Sequence, residues 1–104
     1  MRILFDQGTP APLRRVLEQH TVATAYELGW TELDNGRLLA MAEAAFDALV
    51  TTDKNLRHQQ NLAASRLAIL VLPTTNWTEL HKHEARIAAA INSLKPGDFI
   101  EFRI

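Results

Sequence analysis

Six consecutive residues, Leu67 to Leu72, carry no polar side chain (Leu-Ala-Ile-Leu-Val-Leu). A strand of that kind has to be covered on both faces, which is the condition of a parallel sheet with crossover helices packed on either side. Pro73 ends the run. Two more short apolar runs, Ile3-Leu4-Phe5 and Ala48-Leu49-Val50-Thr51-Thr52, and a β-branched stretch from Thr21 to Tyr26 supply further strands. Residues 98–104 alternate Ile100, Phe102 and Ile104 with Glu101 and Arg103, the pattern of a half-exposed edge strand.

Helical spacing fills the gaps between these runs. After the first strand, Thr9 is a candidate cap for a helix with Pro10 and Pro12 in its first turn, where a missing N–H costs nothing. Leu38, Ala42, Ala45 and Phe46 form the buried stripe of a helix from about Asn35 to Phe46, with Asp34 or Asn35 as its cap. Asn76-Trp77-Thr78-Glu79 has capping-box spacing, and the helix it opens carries Leu80, Ile87, Ile91 and Leu94 as far as Lys95-Pro96-Gly97. The order predicts an α/β fold: a three-layer α/β/α domain over residues 1–104, with a mostly parallel sheet of about five strands.

A chain of 104 residues suits one such domain. Cysteine is absent, which excludes disulfides, thiolate metal sites and cysteine nucleophiles. The first residues read as a strand too short for a signal core, so a cytoplasmic location is expected. No apolar run approaches the roughly 18 residues of a membrane span. The net charge of −1 means that any nucleic-acid contact must come from a local cluster rather than from a broad basic field.

Asp6 and Asp53 each follow an apolar run. If those runs are neighbouring parallel strands, both carboxylates emerge at the carboxyl edge of the sheet, where open α/β sheets hold their ligands. Two carboxylates about 4 Å apart repel each other, so such a pair calls for a shared proton or an intervening cation. Magnesium and manganese take oxygen ligands, often one or two carboxylates with water and substrate phosphate. Mg²⁺ or Mn²⁺ is therefore the expected cofactor, with Asp34 and Glu27 as further oxygen donors from the same edge. Each acid also has a simpler reading: Asp6 as a turn residue, Asp34 as a helix cap, Glu27 as a solvated loop residue. Asp47 precedes its strand and belongs to the opposite edge.

Lys54, Arg57 and Arg66 lie near the proposed acidic edge, and Arg14 and Arg15 follow the first strand; these can hold a phosphate backbone or be ordinary solvated charge. Gln59-Gln60-Asn61 is uncharged and amide-rich, suited to hydrogen bonds with a base, a ribose or Asp6. His81-Lys82-His83 is a poor metal pair, because residues two apart on a helix face different ways. No nucleophile elbow, P-loop or dinucleotide fingerprint occurs.

Taken together, Met-Arg-Ile-Leu-Phe-Asp (1–6), Glu-Leu-Gly-Trp (27–30), Asn-Gly-Arg-Leu-Leu (35–39), Thr-Thr-Asp-Lys-Asn-Leu (51–56) and Gln-Gln-Asn-Leu (59–62) resemble the short bacterial PIN-like proteins of the DUF5615 group. The resemblance covers nearly the whole chain. It implies a PIN-like α/β/α fold and a relationship to the metal-dependent ribonucleases of VapC-type toxin–antitoxin systems. Asp6 then resembles the first PIN acid and Asp53 a later one, while Asp34 or Asn35 stands near another acidic position. The chain departs from the full set of three or four acids, with Asn55 and Asn61 where another acid is expected.

The expected function is a divalent-metal-dependent ribonuclease, the toxin of a toxin–antitoxin pair. Asp6, Asp53, Asp34 and Asn35 would be catalytic, with Asp6, Asp53 and Glu27 on the metal. Lys54, Arg57, Gln60 and Asn61 would bind substrate. The expected partners are RNA, a cognate antitoxin-like protein and a second copy of the chain. A catalytically silent PIN-like module that binds RNA or protein is the alternative. A receiver-like phosphoacceptor fits less well: Gln7 follows Asp6 where receivers carry a second acid, and Lys95 precedes the last strand instead of following it.

Overall fold

In the computed structural model, which describes residues 1–56 and 65–104, successive strand residues point to opposite faces of one sheet and divide the core in two. Ile3, Phe5, Val50, Leu70 and Leu72 bury on one face. Leu4, Leu49, Ile69 and Val71 bury on the other. Each of these side chains contributes roughly 1.5–3 kcal/mol on leaving water, which offsets the entropy of ordering the strands.

The strands are β1 (Arg2–Phe5), β2 (Thr21–Thr24), β3 (Ala48–Thr51), β4 (Ala68–Val71) and β5 (Phe99–Glu101). They form one five-stranded sheet in the order β2-β1-β3-β4-β5, and every neighbouring pair is parallel. One face is covered by a 3₁₀ helix, Ala11–Val16, and by the helices α3 (Trp77–His81) and α4 (Glu84–Asn92), through Leu13, Leu80, Ile87 and Ile91. The other face is covered by α2 (Asn35–Ala45), through Leu38 and Ala42. The layers are α/β/α, as the fully apolar run at Leu67–Leu72 requires. Among the described residues no helix is long and apolar enough to cross a membrane.

β1 has β2 on one side and β3 on the other, so the winding reverses there and leaves a crevice between their carboxyl ends. At the opposite edge Asp47 accepts the Arg2 N–H at 2.8 Å, consistent with its expected exclusion from the carboxyl edge. Glu43 of α2 accepts the Arg66 and Leu67 amides (3.0 and 3.2 Å) and the Ser65 hydroxyl, and so fixes the entry into β4. The Ser65 hydroxyl first, and the Arg66 amide after it, hold the Glu43 carboxyl below its ordinary range.

Four local expectations are corrected. The strand expected over 21–26 stops at Thr24, because Thr24 and Glu27 form a reciprocal capping box that starts a one-turn helix, α1 (Ala25–Leu28). Gly29 closes that turn in the left-handed region at φ 72°. The helix after β1 is 3₁₀, and its cap is Pro10; the Thr9 hydroxyl instead donates to the Val50 carbonyl at 2.7 Å. The helix expected to run on from Asn76 breaks at Lys82-His83, and its box is half made: Asn76 accepts the Glu79 amide (3.3 Å) while its own N–H goes to Thr74 Oγ1 (3.0 Å). The strand expected over 98–104 is only Phe99–Glu101: Ile100 is left exposed on it, while Phe102, just past its end, reaches the core under the Arg86 guanidinium at 5.1 Å.

Candidate functional site at the carboxyl edge

The register of β1 against β3 pairs Phe5 with Val50, so the chain leaves both strands side by side. The turn after β1 is then tied to β3 twice, because the Val50 carbonyl accepts both the Asp6 N–H (2.9 Å) and the Thr9 hydroxyl. Gly8 lies in this turn with its Cα facing Thr52; a Cβ there would stand 2.4 Å from Thr52 Oγ1. Glycine is thus what lets the two loops close on each other.

Thr51, the last residue of β3, is fully buried. Its hydroxyl donates to Asp6 Oδ2 at 2.8 Å and accepts the Asp53 N–H at 3.1 Å. One buried hydroxyl therefore orients the Asp6 carboxylate and the backbone that carries Asp53. Asp6 Oδ1 accepts the Gln7 N–H at 2.7 Å. Asp53 Oδ1 accepts the Asn55 N–H (2.9 Å), and Asp53 Oδ2 accepts the Asn35 side-chain amide (3.0 Å). Among the described residues each of these four oxygens accepts one donor.

Asp34 caps α2, its Oδ1 accepting the Arg37 N–H at 2.8 Å, and the next residue, Asn35, reaches Asp53. Glu27 is not at a strand end. It is the third residue of α1, ion-paired with Arg14 and accepting the Thr24 N–H at 2.9 Å. The Arg14 guanidinium, followed by the Thr24 amide, holds the exposed Glu27 carboxyl down at about 2. Asp6, Arg14 and Glu27 nonetheless line one groove, of about 510 Å³, with Thr9, Thr24 and Tyr26.

Lys54 is exposed and lines a separate groove of about 360 Å³ with Glu101, Phe102 and Arg103, past the carboxyl ends of β4 and β5. Arg57, Gln60 and Asn61, expected to bind substrate, lie outside the described residues. Arg66 and Lys95 line a groove at the amino edge with Asp47, away from both aspartates, so Lys95 is on the wrong side of the sheet for a receiver-like role. Trp30 packs edge-on against Phe46, and Trp77 lies beside His81 under Arg15, so both tryptophans serve packing.

Among the described residues no group of three or more His, Asp or Glu side chains converges as a metal cage. The edge offers a smaller donor set: the Asp6 carboxylate, held by the Thr51 hydroxyl, and the Asp53 carboxylate, whose backbone N–H the same hydroxyl accepts. Residue-type reasoning missed Thr51, although a polar residue ending an apolar strand two places before an aspartate was a visible signal. It also missed Gly8, Tyr26 and Arg103. Compared with protein-family models, curated proteins and solved structures, the chain matches none.

Proposed function

We propose that the chain is a PIN-like, divalent-metal-dependent ribonuclease, with Asp6 and Asp53 as the metal-holding acids. The observation that carries this reading is the Thr51 hydroxyl, which couples the two aspartates at the crevice where the winding of the sheet reverses. Asn35 steadies Asp53 and stands beside the cap Asp34, which makes a third oxygen available through water. Mg²⁺ or Mn²⁺ in such a site lowers the pKa of bound water and stabilises charge on a phosphate. The protein's own part is to aim both carboxylates, and Lys54 is a cation suited to position a phosphodiester backbone.

As the toxin of a toxin–antitoxin pair, acting in the cytoplasm, it would meet RNA and a cognate protein partner. The outer edge of β5 would serve pairing with a second copy. A catalytically silent PIN-like module is the second reading, favoured by the lack of a third converging acid among the described residues.

The test is cleavage of single-stranded RNA with Mn²⁺, with and without EDTA, for the wild type and for Asp6→Asn/Asp53→Asn. Loss of cleavage on chelation and in the double variant is expected. Equal cleavage by the variant would overturn the assignment of the acids. Absence of cleavage by the wild type, with RNA or partner binding retained, would establish the silent module.

A further inference from the structure

Tyr26 is 83 % exposed, more than any other large hydrophobic side chain among the described residues, yet its backbone is tightly held. It is the second residue of α1, a single turn fixed at its start by the Thr24–Glu27 box and at its end by Gly29. The Gly29 N–H donates to the Tyr26 carbonyl at 3.2 Å, and the Trp30 N–H to the Ala25 carbonyl at 2.8 Å. The Arg14–Glu27 ion pair ties the same turn to the 3₁₀ helix. An aromatic ring presented to solvent on so constrained a turn loses little entropy when a flat ligand covers it.

The ring borders the groove that contains Asp6. Two of the polar side chains there are engaged within the protein, Thr9 on the Val50 carbonyl and the terminal nitrogens of Arg14 on Glu27, while Arg14 Nε is buried without a hydrogen-bond partner among the described residues. With Arg14 neutralised by Glu27, Tyr26 is the large apolar surface this wall offers a flat ligand. At the other end of the same sheet edge Lys54 and Arg103 line the second groove, and neither makes an ion pair among the described residues. Four strand spacings of about 4.8 Å separate β2 from β5, so the edge runs for about 19 Å with the aspartates between its ends. An aromatic platform beside a few positive charges is the pattern that binds a single nucleic-acid strand, and the low net charge then limits affinity to these local contacts.

We propose that Tyr26 is a stacking platform for one nucleobase of single-stranded RNA, whose backbone crosses the carboxyl edge past Asp6 and Asp53 towards Lys54 and Arg103. The choice of RNA as occupant rests on the nuclease reading; the platform itself rests on the exposure and rigidity of Tyr26. Duplex RNA keeps its base faces covered and is a poor ligand for such a ring.

The experiment measures binding of a short fluorescein-labelled oligoadenylate by anisotropy in EDTA, so that no cleavage is needed. Tyr26→Ala should weaken binding about tenfold or more, and Tyr26→Phe should stay within about twofold, because the π-face is what binds. Tyr26→Trp should bind at least as well and show quenched emission from the new indole. Thermal unfolding of Tyr26→Ala should match the wild type, since the ring buries almost nothing. Unchanged binding by Tyr26→Ala, no binding by the wild type, or equal binding of duplex RNA would overturn the proposal. Cleavage with Mn²⁺ that ignores Tyr26→Ala in both kcat and KM would remove the platform and leave the nuclease standing. Tyr26-dependent binding without Mn²⁺-dependent cleavage would keep the platform and remove the nuclease.

Discussion

The Thr51 hydroxyl donates to Asp6 Oδ2 across 2.8 Å, joining the end of β3 to the residue that follows β1. The same oxygen accepts the Asp53 N–H, so its loss would leave a half-buried carboxylate and a backbone amide each short of a partner. Thr51→Val keeps the shape and removes the hydroxyl. A hydrogen bond to a charged group is worth about 1.5–3 kcal/mol, and urea unfolding should show a loss of that size. Thr51→Ser keeps the donor and should lose less than half as much. Equal midpoints for Thr51→Val and the wild type would show that the bridge does not form in solution.

Asn35 provides a test of the cation that does not depend on activity. Its amide donates to Asp53 Oδ2 at 3.0 Å, so Asn35→Asp sets two carboxylates against each other. Without divalent ions this variant should melt below the wild type, since like charges disfavour joint ionisation. With Mn²⁺ the order should narrow or reverse, because a ligand bound only by the folded state stabilises it by about 2.7 kcal/mol at a hundred times its Kd. Melting curves in EDTA and in Mn²⁺ decide it: no gain in the variant above that of the wild type would argue against a cation between these residues.

Glu27 sets an acid-side dependence. Its carboxyl is held at about 2, below the ordinary 4.5, first by the Arg14 guanidinium and then by the Thr24 amide. A depressed folded pKa means that stability is fully present above the ordinary value and is lost as pH falls towards the folded one. Wild type should therefore exceed Glu27→Gln in melting temperature at neutral pH, and the gap should close between pH 4.5 and about 2. The pair is exposed, so added salt should shrink the gap as well. A gap that persists at pH 2 would assign it to the cap hydrogen bonds alone.

The strands were legible because burial on two faces leaves an unbroken apolar run, and β3 and β4 show it. The end of β2 was misread because Thr21 to Tyr26 is rich in strand formers, although Thr24-x-x-Glu27 spells a capping box. The break at Lys82-His83 had no signal of its own, since neither glycine nor proline marks it; contacts from outside the helix, such as Arg15 to Glu84 at 3.4 Å, accompany it. Asp6 and Asp53 were found as types after strands. Their adjacency was not readable, because it depends on β1 and β3 being neighbours, and strand order is a property of the whole sheet. Glu27 was misplaced for a local reason: a helix turn aims it at Arg14, whereas a strand end would have aimed it along the edge.

Gly8→Ala separates close approach from backbone freedom. Gly29 and Gly97 are the glycines with positive φ, so Gly8 sits where alanine's backbone is at ease. Alanine at such a position usually stabilises by about 0.4–1 kcal/mol through the unfolded chain. Here the new methyl would meet Thr52 Oγ1 at 2.4 Å, with Thr75 Cγ2 close behind at 3.5 Å. Thr52 is β-branched, so turning it away moves another heavy atom into the gap. Overpacking of this kind costs about 1–3 kcal/mol, which outweighs the entropic gain, and a net loss in urea unfolding is expected. Thr52→Ala removes the obstructing oxygen, so the Gly8→Ala/Thr52→Ala protein should recover most of that loss, giving a coupling of at least about 0.5 kcal/mol. Additive effects of the two substitutions would mean that the β1 and β3 loops stand further apart, and that the carboxylates they carry are not held together by this contact.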